Sequence, residues 1–266
     1  MRAAVANIEA SALSPLEQLG LVSGWAPKRL VAVLVMWNYL DESGEFNEAA
    51  SPKQLTRLTL GGFFAPWESV KALCRDWRKA LDEECLAEFH MREIASDEHL
   101  FDSWPEERQN RLNRFVDILC EHAQIFCAYS YAVINPDRAF EDAYETALNR
   151  VLIRAATISD ERNVRANVVF AHTEEISGEL IGRYFDRLKW GEYLRGYSVL
   201  RSRDNPPLQA AEIVARGMKR FMQDGGITHS FARLVATKKP IEVWPMDPIA
   251  TIRARGILPN PLGGAL

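Results

Sequence analysis

Cysteine is scarce: there are four in 266 residues, Cys74, Cys85, Cys120 and Cys127, with no C-x-x-C pair and no histidine at zinc-ligand spacing. That argues against a structural zinc and against a disulfide framework, and leaves the four as expected small core residues. Long hydrophobic runs are missing too. The longest clean one, Leu30 to Trp37, falls short of the roughly 20 apolar residues a spanning helix needs, so no membrane span is expected. Arg2 is not followed by a continuous apolar segment or a cleavage site, so secretion is not signalled and the cytoplasm is the expected location. No G-x-x-x-x-G-K-[ST] loop is present, which disfavours a hydrolase of small phosphorylated compounds. Internal repeats and low-complexity tracts are absent.

What is present is an ordinary balance of 47% hydrophobic and 26% charged residues, enough to bury a sizeable core in one decorated domain. The net charge of −4 hides an asymmetry. Residues 1–133 hold 13 Lys and Arg against 20 Asp and Glu, whereas residues 134–266 hold 19 against 16. From Arg195 to Lys239 nine basic residues face three acidic ones. Such a bias suits phosphate contact, and equally a solvated charged face.

Residues 1–27 mix Ala, Ser, Gly and Pro around one short capped helix at Ser14-Pro15-Leu16-Glu17 and read as an N-terminal arm. The run from Leu30 is nearly all apolar and β-branched, as in a central strand, and stops at Asp41-Glu42-Ser43-Gly44, a turn-forming sequence. Further strands are expected at Leu55 to Phe64, Gln124 to Ile134, Ala166 to Ala171 and Tyr197 to Arg201. Within the second, Gly61-Gly62 lets another backbone or a ligand come close. Helices are expected from Pro66 to about Leu86, from a Ser103-Trp104-Pro105-Glu106 cap to about Ala123, and from Asn135-Pro136 to about Ile158. Two more run from about Glu174 to Lys189 and, after Asn205-Pro206-Pro207, from Leu208 to about Met222. Glu88-Phe89-His90-Met91 reads as a short extended piece. Strands alternating with helices indicate an α/β sheet over residues 28–225. Beyond Gly225-Gly226 the pattern cannot be assigned, and residues 226–266 read as a C-terminal extension.

Asp41 sits where a central strand ends, the usual ligand position in an open α/β sheet. A carboxylate there needs a compensating cation, although the same residues also make a plain polar turn. Glu212 is a single carboxylate in an apolar, small-residue helix stretch. It shares a face with Leu208 and Ala215, so it needs a partner on the packed side, or else reaches solvent and pairs with Arg216. His90 and Glu93 flank the extended segment, and His172, Glu174 and Glu175 follow the fourth strand. All lie at strand ends and could converge on Asp41, or be ordinary polar residues.

The apolar strand ending in Leu40-Asp41-Glu42-Ser43-Gly44, the Leu60-Gly61-Gly62-Phe63 strand, the Glu88-Phe89-His90-Met91 segment and the late Pro207-Leu208-Gln209-Ala210-Ala211-Glu212-Ile213-Val214-Ala215 helix together resemble domain-of-unknown-function family 3800. That family is regarded as ribonuclease H-like predicted nucleases, and the resemblance spans about residues 30–222. It implies a ribonuclease H-like mixed sheet flanked by helices, with Asp41 as the first-strand aspartate and Glu212 as the acid on the last helix. The family usually shows Asp at the Glu212 position, and many relatives carry an acid where this chain has Ala171. His172, Glu174 or Glu175 could substitute for that acid. The resemblance further implies that Asp41, Glu212 and one or more of Glu93, Glu174 and Glu175 bind Mg or Mn. His90 or His172 would orient water or protonate a leaving group. Arg201, Arg203, Arg216, Lys219 and Arg220 would contact the phosphates of a DNA or RNA partner. The competing expectation is a non-catalytic binding or interaction module that keeps the fold and not the chemistry. The sequence leaves the oligomeric state open.

Overall fold

The computed structural model describes residues 30–37, 57–132, 140–161, 166–171, 178–187 and 194–245. Within them the β-branched and aromatic stretches form six strands: β1 (Leu30–Trp37), β2 (Arg57–Pro66), β3 (Ile125–Ala132), β4 (Ala166–Ala171), β5 (Leu194–Leu200) and β6 (Ile241–Pro245). They make one sheet in the order β5-β4-β1-β2-β3-β6. β2 is antiparallel to both β1 and β3, while β1 with β4, β4 with β5 and β3 with β6 are parallel. β2 is therefore the one reversed strand among these six, and β1, β4 and β5 end at a common edge.

Among the described residues seven α-helices accompany the sheet: α1 (Trp67–Glu83), α2 (Met91–Ile94), α3 (Glu106–His122), α4 (Phe140–Glu161), α5 (Gly178–Arg187), α6 (Pro206–Asp224) and α7 (His229–Ala236). Strand alternation assigns them to faces. Phe63 and Ala65 of β2, with Phe126 and Ala128 of β3, join the core made with α1, α3, α6 and α7, whereas Leu60, Phe64, Ile125 and Cys127 join the core made with α4 and α5. The result is a three-layer mixed α/β arrangement with a core on each side of the sheet. No helix among the described residues is long and apolar enough to cross a membrane.

The glycine pair in β2 has a concrete use. A Cβ on Gly61 would stand 2.5 Å from the Ala215 Cα and 2.6 Å from its nitrogen. The α6 backbone thus lies directly on the strand, as the small residues on both sides allow.

Several expected boundaries shift, and some expectations are corrected. Ser103 does not cap α3: its hydroxyl donates to the Leu100 carbonyl at 2.7 Å and closes a 3₁₀ turn (Glu98–Ser103), leaving Pro105 at the helix entry without a side-chain cap. α2 and this turn fill the stretch between His90 and α3. Cys74 and Cys127 are buried, but Cys85 is exposed, with φ 54 just past the end of α1. The chain beyond residue 225 forms α7 and β6, with Phe231 and Leu234 buried in the main core. Two contacts fasten this part. Thr228 and Glu98 accept the Phe231 and Ser230 N–H groups at the α7 N-terminus, and Lys239 Nζ donates to the Cys120, Glu121 and Ala123 carbonyls at the end of α3. The expected caps at Ser14 and at Asn135-Pro136 lie outside the described residues.

Candidate functional site

Five residues separate the end of β5 from the start of α6, so the helix N-terminus lies at the edge where β1, β4 and β5 finish. Gly61 faces Ala215 and pairs with Val35 of β1. Glu212, three residues earlier, is about 4.5 Å nearer that edge, since a helix rises about 1.5 Å per residue. With about 3.4 Å per strand residue, it stands at the level of Met36 and Trp37, the last residues of β1.

Glu212 is only 3% exposed. Its carboxylate lies 3.8 Å from His90 Nδ1, an ion-pair separation too long for a hydrogen bond, and His90 Nε2 lies 3.6 Å from Glu88. The extended backbone at His90 (φ −126, ψ 117) turns the ring between the two acids. Burial pushes the Glu212 pKa up, countered by His90, the Met91 N–H and Arg216. Glu212 in turn raises His90, against the opposing effect of burial, and Glu88 and Glu93 add to the rise. A proton is therefore held on this pair more tightly than on the free side chains.

The neighbouring polar residue is Gln209, 2% exposed and one turn before Glu212. Its Oε1 accepts from Trp77 Nε1 at 2.9 Å and from the Phe89 N–H at 3.1 Å. Its Nε2 donates to the Ser202 and Arg203 carbonyls at 3.1 and 2.8 Å. All four strong positions of the carboxamide are filled. On the next turn of α6, Arg216 donates to the Ala95 carbonyl at 2.9 Å and reaches Ser96, holding the segment after α2.

The structure thus brings Glu212 and His90 together, with Glu93 exposed on α2 beside them. Asp41, His172, Glu174 and Glu175 lie outside the described residues. Of the basic candidates, Arg201 and Arg203 are exposed beyond the end of β5, Arg216 and Arg220 are half-buried, and Lys219 is buried at 3% exposure. Among the described residues, no group of three or more His, Cys, Asp and Glu could hold a metal ion.

Sequence reasoning overlooked Glu88 and Gln209 as site residues. Glu88 was detectable, because two residues from His90 in an extended segment places it on the same side. Gln209 offered the signal of an amide within an apolar helix face, a group that must find partners when buried. No family model, curated protein or solved structure matches the chain.

Proposed function

We propose that the chain is a ribonuclease H-like, metal-dependent nuclease acting on DNA or RNA, with its site at the edge where β1, β4 and β5 end. The observation that carries this reading is Glu212: a carboxylate kept buried on the helix after β5, level with the end of the central strand. The sheet order, with β2 alone reversed beside a central β1, supports the same fold. A buried carboxylate whose ionised form is penalised fits a divalent cation, which offsets the penalty. Glu212 and Asp41, with Glu93, Glu174 or Glu175, would hold Mg or Mn, hard ions matched to oxygen donors. Such ions supply an activated water and stabilise the leaving oxygen of a phosphodiester. His90, between Glu88 and Glu212, would carry a proton on its ring at the site and deliver it to the leaving oxygen. Arg201 and Arg203, exposed past β5, would bind phosphates in a salt-sensitive way.

The test is cleavage of single- and double-stranded DNA, RNA and hybrid substrates with Mg or Mn. We expect metal-dependent cleavage that falls at least about 100-fold in Asp41→Asn and in Glu212→Gln, as loss of a metal ligand requires. Failure on every substrate overturns the reading. A second reading, an interaction module with the same fold, is favoured by one observation: Glu212 already has a partner in His90. Calorimetry separates the two, since the nuclease binds Mn and loses it in Asp41→Ala, whereas the module ignores Mn at millimolar concentration.

A further inference from the structure

The loop from Arg201 to Asn205 carries the two exposed arginines, and the segment from Glu88 to Met91 carries His90. These stretches are more than 100 residues apart in sequence, and one side chain bonds to both. Gln209 accepts from the Phe89 N–H, next to His90, and donates to two successive carbonyls of the loop, Ser202 and Arg203. Its oxygen also takes the indole N–H of Trp77, whose ring packs edge-on against Phe89 at 5.2 Å. The base of this clamp is rigid: Phe89, Trp77 and Phe115 form a fully buried aromatic cluster, with Phe115 4.9 Å from Trp77 and 4.7 Å from Phe89.

We propose that Gln209 is a positioning residue which sets His90 beside Glu212 through its oxygen and fixes the Arg201–Arg203 loop through its nitrogen. The arrangement divides by atom. The carboxamide oxygen serves only the histidine side and the nitrogen only the arginine side, so the two can be uncoupled chemically. An ionised Glu at this position keeps both acceptor contacts and loses both donors. A Met of similar length loses everything and leaves two buried donors, the Trp77 indole and the Phe89 N–H, without their acceptor. The proposal rests on the reading of this edge as the functional site. The position of His90, however, can be read without any cleavage.

The experiment compares Gln209→Glu and Gln209→Met with the wild-type chain at pH 8, using amide hydrogen exchange and ring-nitrogen NMR signals of His90. The Asn205 N–H, bonded to the Ser202 carbonyl at 2.9 Å, reports the loop, and the Phe89 N–H reports the histidine side. In Gln209→Glu we expect exchange at Asn205 to rise at least about tenfold, with exchange at Phe89 unchanged. In Gln209→Met both amides should exchange faster and the His90 signals should shift. Equal loss of protection at both amides in Gln209→Glu would show mere structural loosening and overturn the proposal. Unmoved His90 signals in a folded Gln209→Met would do the same. If Gln209→Met does not fold, Gln209→Glu alone decides. In the cleavage assay Gln209→Glu should raise KM for nucleic acid and leave kcat within about twofold. A wild-type chain that cuts nothing sinks the nuclease reading, while the exchange data still judge Gln209.

Discussion

A buried carboxylate shows how the environment of one residue sets a property of the whole chain. Glu98 is 4% exposed; its Oε1 accepts the Ser230 N–H, and its Oε2 finds no hydrogen-bond partner among the described residues. Burial raises its pKa from 4.5, and Ser230, Arg216 and Thr228 only partly counter this. The folded chain therefore binds the Glu98 proton more tightly than the unfolded chain does. Its contribution to stability is complete below about 4.5 and is lost as the pH rises through the raised folded value. His229, stacked on Phe101 nearby, has the opposite sign: burial lowers its pKa from 6.5, so its contribution is present above 6.5 and lost as the pH falls through the lowered value. Comparing wild type with Glu98→Gln cancels His229. Urea unfolding at pH 5 and pH 8 should show the variant gaining on wild type as the pH rises, and a difference that stays flat would count against this account. Glu212 was recognisable in the sequence as a carboxylate needing a partner, because it interrupts an apolar helix face. That the partner is His90 was not, because the two meet only when the chain folds back across α6.

Among the elements, α6 joins the core to the site, since it packs on β2, presents Glu212 and Gln209, and receives α7 at Gly217. Its close seat depends on Gly61. Gly61→Val would force a side chain into the Ala215 backbone, which has no flexible end to move aside. Overpacking of this kind costs about 1–3 kcal/mol or more. The urea midpoint should fall accordingly with the slope unchanged; an unshifted midpoint would mean that the helix is not seated as described. Local patterning revealed α6 almost entire: Pro206 and Pro207 suit its first turn, its apolar residues follow the helical period, and Gly225 closes it with φ 71. α2 and the 3₁₀ turn went unread because they are too short to show a period, and their shape comes from Arg216, Arg108 and Gln109 bonding to their carbonyls.

At the scale of the molecule, the sheet continues beyond residue 225. β6 pairs with β3 from Phe126↔Ile241 to Ser130↔Pro245, and α7 buries Phe231 and Leu234 in the main core. A chain cut after residue 225 would uncover the β3 edge and the Phe231 contact on Gly217. We expect it to aggregate or to melt well below the full chain, as measured by light scattering and circular dichroism; equal melting would show that the tail is dispensable. The amino-acid sequence by itself determined the alternation of strands and helices, the strand at Ala166–Ala171 to the residue, and the close approach allowed at Gly61, because periodicity and side-chain size act between near neighbours. Tertiary structure alone decided the order of the strands, the capture of β6, the pairing of His90 with Glu212 and the bonds that Gln209 accepts from Trp77 and Phe89. Each of these joins segments far apart in the chain, and a partner's identity across such a distance is set by packing of the whole fold, which leaves no local mark in the sequence.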